Sequence, residues 1–264
     1  MTGVFSWKGG QNLPLAHHYL WAGSVRYARR AFGRVVLVTD KPGRALLCDA
    51  MNLPFDEILP LPDLPDELAH VYELPKLCAY ATMAARGEPF LHVDFDAFLR
   101  AGLPSGFAKA SFIAEYTYQP ARFVAGLHAT LPVKRLQQPA LGAAGGIMGG
   151  CALDELDTYA QAGLRVALDP ANRNVLRAAN GYQASVYLGE VPFGTEFGPR
   201  IACILPRGPV REDYWRAGYI HFAGRLKHEH QTATRAELQV LADFGPELWL
   251  SVRKRFDALW CPEV

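Results

Sequence analysis

A single α/β domain, with a mixed, mainly parallel central sheet flanked by helices, is the fold class this sequence predicts, and three observations predict it. Strand-like and helix-like segments alternate through the first hundred residues, the pattern of β-α-β units whose right-handed crossovers build a parallel sheet. The chain has 264 residues, 50% of them hydrophobic, which suits one large domain or two closely packed halves around a sizeable core. The apolar run Pro89-Phe90-Leu91-His92-Val93 ends in Asp94-Phe95-Asp96. It reads as a strand that delivers two carboxylates at its exit, on one side by the period of two, and at the edge where open α/β sheets bind ligands.

Each element has its own warrant. Residues 2–7 form a β-like run closed by the turn Lys8-Gly9-Gly10. Residues 15–32 carry apolar side chains at helical spacing, Leu20, Ala28 and Ala31 among them, and Gly33 ends the helix before a strand at 34–39. Asp40-Lys41-Pro42-Gly43 is turn chemistry that opens a short helix at 44–51, and 55–59 reads as the next strand. A proline-rich loop at 60–65 precedes a helix at 74–86, with Pro75 in its first turn and Gly87 closing it. Past Asp96, residues 110–116 read as a strand and 119–139 as irregular. Residues 142–150 are the most glycine-dense segment. Lacking both Walker spacing and Gly-x-Gly-x-x-Gly, they predict either a close backbone approach to a ligand or a tight turn under the sheet, followed by a helix at 153–162. Asn180 begins a turn that leads into a short apolar element to residue 188, and 192–209 reads as a loop. The chain ends in helices at 236–242 and 246–260. In the second, Leu248, Val252, Phe256 and Leu259 form a stripe opposite Arg253, Lys254 and Arg255, expected to pack on the body, with peripheral contact to an anionic membrane as the alternative.

Composition narrows the function. A formal net charge of +1 argues against a nucleic-acid surface built on bulk electrostatics. Cys48, Cys78, Cys151, Cys203 and Cys261 are odd in number and contain no Cys-x-x-Cys pair, which predicts reduced thiols in a cytoplasmic protein. Residues 1–10 lack the pattern of a signal peptide, and no apolar run reaches membrane-spanning length.

The chemistry gathers at Asp94 and Asp96. Two carboxylates so close repel unless something positive lies between them, and oxygen donors suit magnesium or manganese. His221 is the expected third ligand, which shifts the preference to manganese. Gly224 lets the chain turn, and Lys227 reaches the charge a diphosphate would bring. Asp94-Phe95-Asp96 at a strand end, Lys76 on the preceding helix, the glycine segment 145–150, Gln183 and His221-x-x-Gly224-x-x-Lys227 together resemble the GT-A-fold nucleotide-sugar glycosyltransferases, in the glycogenin and lipopolysaccharide galactosyltransferase order.

That resemblance implies a GT-A-like (Rossmann-like) catalytic domain over residues 1–264, with 1–100 as the nucleotide-binding half and 101–264 as the acceptor-binding half. It implies transfer of a hexose from a nucleoside-diphosphate sugar, a UDP-sugar, to a saccharide or other hydroxyl acceptor with retention, using Mn2+ or Mg2+. Asp94, Asp96 and His221 would hold the metal. Asp94, Gly224, Lys227, Ser6 and Trp7 would bind the donor, and Asp96, Gln183 and Lys76 would act at the reacting sugar. The family's Asn-x-Gly reads Ala144-Gly145-Gly146 in this chain. Inversion would need a carboxylate base, for which Glu115 and Asp154 are nearest.

Other readings use some of the same residues. His92, Asp94 and His221, with Arg225 for a carboxylate, match the ligand triad of non-haem iron, 2-oxo-acid oxygenases, whose usual fold is all-β. An inactive nucleotide-sugar-binding protein is the non-enzyme alternative, and Lys8-Gly9-Gly10 is a faint echo of a nucleotidyltransferase loop. His17 and His18 are adjacent in a helix, so one is expected at the surface and one in the core. His228-x-His230 reads as a solvated loop. Trp7, Tyr116 and Tyr118 can stack on a base or sugar, with core packing as the default.

Overall fold

The computed structural model of the chain describes residues 1–9, 13–120, 122–137, 140–206, 208, 218–222 and 230–260. Its centre is a seven-stranded sheet. Strands β1 (Thr2–Trp7), β2 (Val35–Thr39), β3 (Glu57–Pro60), β4 (Phe90–Val93), β6 (Phe112–Ala114), β9 (Ile147–Gly150) and β10 (Ile201–Cys203) lie in the order β10-β6-β9-β4-β1-β2-β3. All pairings are parallel except those of β9, which runs antiparallel between β4 and β6. Two short ladders stand apart from it, β5 (Ala97–Leu99) with β11 (Tyr219–His221) and β7 (Thr117–Tyr118) with β8 (Gly142–Ala143).

The central strands are apolar on both faces, as a covered parallel sheet requires. Phe5, Val35, Leu37, Leu91 and Val93 point into one core layer with helix α1 (Leu15–Phe32) and the C-terminal helix. Val4, Val36, Val38, Phe90 and Phe112 point into the opposite layer, under α3 (Glu73–Ala85) and α5 (Leu153–Leu168). A third cluster, with Leu74, Leu176 and Leu188, joins α3 to the short helices α6 (Arg173–Ala178) and α7 (Gly181–Ser185). Among the described residues no helix is long and apolar enough to cross a membrane, and Cys48, Cys78, Cys151 and Cys203 are free thiols. Cys261 lies outside the described residues.

Several elements differ from the sequence-based expectation, each for a physical reason. The glycine-dense segment is mostly strand rather than a tight turn. It supplies β8 and β9, and its last glycines permit close strand contact, since a Cβ on Gly150 would stand 2.0 Å from the Ser111 carbonyl and one on Gly149 2.4 Å from the Phe90 carbonyl. The expected loop at 192–209 contains helix α8 (Val191–Phe197) and the edge strand β10. Pro192 sits in the first turn, where no amide is missed, and Phe197 stacks on Phe112 with ring centroids 3.8 Å apart. Helix α4 (Arg122–Thr130) lies within the segment expected to be irregular. The helix expected at 44–51 is a short α2 (Lys41–Arg44) that widens into a π-helical turn (Ala45–Ala50). β3 begins two residues later than expected and ends on Pro60, tolerated because β3 is an edge strand. Both His17 and His18 are buried, because α1 is covered on one side by the sheet and on the other by the C-terminal helix, whose Phe256 ring lies 5.0 Å from His18.

That last helix, α9 (His230–Trp260), runs on through 236–242 and 246–260 with a break at Gly245 (φ 82°). Val252 is buried and Leu248 and Leu259 pack on the core, as the stripe predicts. Asp243, just before the break, ties three elements together. It accepts from Tyr27 of α1, from Arg100 after β5 at 2.9 and 3.3 Å, and from Gln239 at 2.8 Å. Partial burial alone would raise its carboxyl, but these hydrogen bonds hold it below its ordinary 3.8. A depressed carboxylate contributes stability that is present above its unfolded value and is lost as pH falls through the folded one. Asp243→Asn should therefore cost about 2 kcal/mol at pH 7, measured by urea unfolding, and the gap to wild type should narrow between pH 5 and pH 3. A gap that is constant across that range would show that the carboxylate charge is not what joins these helices.

Candidate metal centre

β4 stops at Val93, so the acidic pair is carried by the turn that follows rather than by the strand itself. The turn is closed by a hydrogen bond from the Ala97 amide to the Asp94 carbonyl (3.0 Å), and the Asp94 amide donates to the carbonyl of Gly146, in the segment between β8 and β9 (2.9 Å). From α1, the Ser24 hydroxyl lies 2.8 Å from the Asp94 carbonyl and 2.7 Å from that of Ala97. Phe95 points the other way, into Phe5, Trp7, Trp21 and Phe55, with ring centroids 4.9–6.5 Å away. Apolar burial of the middle residue thus turns its two acidic neighbours outward.

His221 reaches the same place through β11. Its register partner on β5 is Ala97, and the Phe222 amide donates to the Asp96 carbonyl at 2.9 Å. Ligand atoms of Asp94, Asp96 and His221 all lie within 4.8 Å of one another, the one such group among the described residues. His221 Nε2 is 3.3 Å from Asp96 Oδ1, while Nδ1 is 2.8 Å from Oε2 of Glu115, which is 1% exposed. Gly146 packs against the imidazole edge, where a Cβ would stand 2.5 Å from Nδ1.

Lys76 of α3 enters from the other side. Its ammonium lies 2.7 Å from Asp94 Oδ1 and 2.9 Å from Oδ2, 3.4 Å from the Gly145 carbonyl and 3.9 Å from Glu73. Burial alone would lower the Lys76 ammonium, but Asp94 and then Glu73 hold it above its ordinary value. Burial pushes the Glu73 carboxyl up to about 7, against the pull of Lys76. The Asp94 carboxyl is raised by burial and by the charge of Asp96, although Lys76 opposes both. His221 would be lowered by burial, yet Glu115 and the hydrogen bond to Asp96 carry it well above the usual imidazole range. Two carboxylates that disfavour each other's ionisation, with a nitrogen donor beside them, form a donor set that a divalent cation fits.

The other predicted residues fall into place less directly. Ser6 Oγ is hydrogen-bonded to His92 Nε2 at 2.9 Å. Trp7 donates its indole N–H to the Gly9 carbonyl (2.7 Å) and packs edge-on against Trp21. His92 is buried, and burial together with Lys76 holds its imidazole well below the usual range. The converging group takes Asp96 and not His92, and the surrounding fold is α/β, so the oxygenase arrangement is not the one formed. Gln183 is half-buried on α7, whose Ser185 hydroxyl accepts from the Glu73 amide (3.2 Å). Glu115 faces His221. Asp154 opens α5 after Gly150, which pairs with Phe90 at the far end of β4, so it lies at the opposite edge of the sheet from Asp94. Gly224, Arg225, Lys227 and His228 lie outside the described residues.

Sequence reasoning missed three groups. Glu73 is one helical turn before Lys76, a spacing that could have suggested a pair. Glu190 accepts from the Gly145 amide at 3.2 Å and from Tyr118, and its carboxyl is raised by burial. Nothing in its apolar surroundings in the sequence marks it. Ser24 is hidden in a helix whose periodicity is otherwise apolar.

Fold and site define an α/β protein with a candidate Asp-Asp-His metal site at the carboxyl edge of its sheet. Over residues 4–187 the sequence matches DUF6734, a family of unknown function, and the chain belongs to that family. No curated protein matches it. Among solved structures it is similar to the apo form of mouse xyloside xylosyltransferase 1, at 15% identity and a TM-score of 0.39 over 76% of this chain and 83% of that one. It is also similar to a glycosyltransferase involved in glycosylation of the major capsid of PBCV-1, at 10% identity and a TM-score of 0.42 over 90% and 98%.

Because Gly146 leaves the imidazole its place, Gly146→Ala should displace His221 and weaken Mn2+ binding by about tenfold or more, with the circular dichroism spectrum unaltered. Isothermal titration with MnCl2 checks this, and wild-type affinity in the variant would show that His221 is not held there for a metal.

Proposed function

We propose that the chain is a metal-dependent glycosyltransferase that moves a hexose from a nucleoside-diphosphate sugar, with UDP as the nucleotide, to a hydroxyl acceptor. The observation that carries this reading is the convergence of Asp94, Asp96 and His221, from segments more than a hundred residues apart, within 4.8 Å at the ligand-binding edge of an α/β sheet. Asp94, Asp96 and His221 would hold Mn2+ or Mg2+, and a divalent cation there supplies neutralisation of the diphosphate leaving group.

The remaining work falls to side chains of the chain itself. Lys76 orients Asp94 and opposes the upward push of burial on its carboxyl, and its bond to the Gly145 carbonyl ties that acid to the segment between β8 and β9. Ser6 and Trp7 would bind the nucleotide at the end of β1, Gln183 would act at the reacting sugar, and Lys227, six residues past His221 in the sequence, would add positive charge for the diphosphate. These groups are set in advance for charge that develops as the bond from the anomeric carbon to the diphosphate breaks. The acceptor oxygen bonds to that carbon on the face the diphosphate leaves, and its proton passes to the departing phosphate oxygen, so configuration is retained. Glu115 is 1% exposed and turned to His221, which leaves it out of reach as a base for inversion.

A thermal-shift panel of UDP, GDP, ADP and CDP, with and without MnCl2, tests the proposal. One diphosphate, UDP, should raise the melting temperature by about 5–10 °C at a hundredfold excess over its Kd, only when Mn2+ is present, and Asp96→Ala should abolish the shift without unfolding the protein. No metal-dependent shift with any nucleotide, or stabilisation by Fe2+ with a 2-oxo acid instead, would overturn it.

A further inference from the structure

Behind the metal-facing edge of His221 stands Glu115, which the reading above leaves without a task. It follows β6, is 1% exposed, and places Oε2 at 2.8 Å from His221 Nδ1. Its backbone is fixed on both sides of the strand, for its amide donates to the Ala144 carbonyl at 3.4 Å and its carbonyl accepts from the Leu205 amide at 2.8 Å. A carboxylate accepts hydrogen bonds and does not donate them. The hydrogen facing Glu115 is therefore on Nδ1, and a ring that gives up its other proton to ligate a metal does so from Nε2, the atom 3.3 Å from Asp96 Oδ1.

Resting on the metal-site reading, we propose that Glu115 is a positioning residue that commits His221 to ligation through Nε2. It selects the tautomer, fixes the ring plane together with Gly146, and makes the imidazole a stronger donor by placing a negative charge on its far side. Carboxylate–histidine pairs of this kind orient metal ligands generally. In this fold the two partners come from different sheets. Glu115 is anchored to the seven-stranded sheet, and His221 belongs to the separate β5–β11 ladder. The β5–β11 ladder brings the His221 backbone to the acidic turn, and the hydrogen bond to Glu115 then sets which edge of the ring faces the two acids. A strengthened nitrogen donor also favours Mn2+ over the oxygen-seeking Mg2+, which makes Glu115 a determinant of which metal the site takes.

Mn2+ titrations followed by electron paramagnetic resonance, with spin-echo modulation reporting nitrogen bound to the metal, test this on the full chain without any measurement of turnover. Wild type should show imidazole nitrogen modulation and prefer Mn2+ to Mg2+ in competition. Glu115→Ala should weaken Mn2+ binding by about 100-fold, reduce the nitrogen signal and narrow the Mn2+-to-Mg2+ preference. Glu115→Gln keeps an acceptor oxygen for Nδ1–H but no charge, so it should restore the nitrogen signal while binding about tenfold more weakly than wild type. Circular dichroism confirms folding, and if the alanine variant does not fold, a glutamine variant with wild-type affinity overturns the proposal. So does a folded alanine variant with wild-type affinity and signal. Mn2+ bound to wild type without nitrogen modulation, or no Mn2+ binding, overturns the metal-site reading itself, whereas modulation in wild type that is unchanged in Glu115→Ala overturns only the role of Glu115.

Discussion

Negative charge crowded into a small, poorly hydrated space is the constraint around which this molecule is arranged. Asp94, Asp96, Glu115, Glu73 and Glu190 come from four places in the chain, and in a medium less polarisable than water like charges so close repel strongly. Lys76 and His221 are the answering cations. Lys76 bridges Asp94 and Glu73, His221 bridges Asp96 and Glu115, and the two acids of the Asp-x-Asp turn are thereby shared between two positive groups on opposite sides. Five carboxyl groups against two cations leaves room for more positive charge, which is what a binding site for a dication with an anionic ligand requires.

The scaffold meets that constraint with apolar packing rather than with more charge. Phe95 is the pivot. Its burial among four aromatic rings fixes the turn in one rotational setting, and Ser24 holds the backbone of the same turn from α1. Neither residue touches a ligand, yet both decide where the two acids point. The glycines of β9 do the corresponding work on the neighbouring strand, where the absence of side chains lets β4 and β6 close on it from both sides.

Much of this arrangement is legible in the sequence. β1 and α1 match their predicted limits, β2 and α3 do so within a residue, and the convergence of Asp94, Asp96 and His221 is readable because Asp-x-Asp at a strand exit and a distant histidine are each chemically conspicuous. What sequence could not show is pairing across space. Period two placed Asp94 and Asp96 on one side of a strand, whereas a turn held by Phe95 brings them together. Glycine at 149 and 150 and proline at 192 are ambiguous tokens, since each serves a loop, a crowded strand or the first turn of a helix, and only the neighbouring backbone decides. Glu115 could be seen as an acid at a strand end, but its orientation toward His221 depends on how β6 and the β5–β11 ladder are juxtaposed, which no local pattern encodes.

The β5–β11 ladder is three residues long and shares no hydrogen-bonded rung with the main sheet. Breaking so short a ladder costs far less than melting the core, so the chain can withdraw His221 from the two acids while every central strand stays in register. Integrity of the sheet and assembly of the Asp-Asp-His group are therefore separate quantities in this protein, and a preparation can be fully folded by every bulk criterion with that group apart.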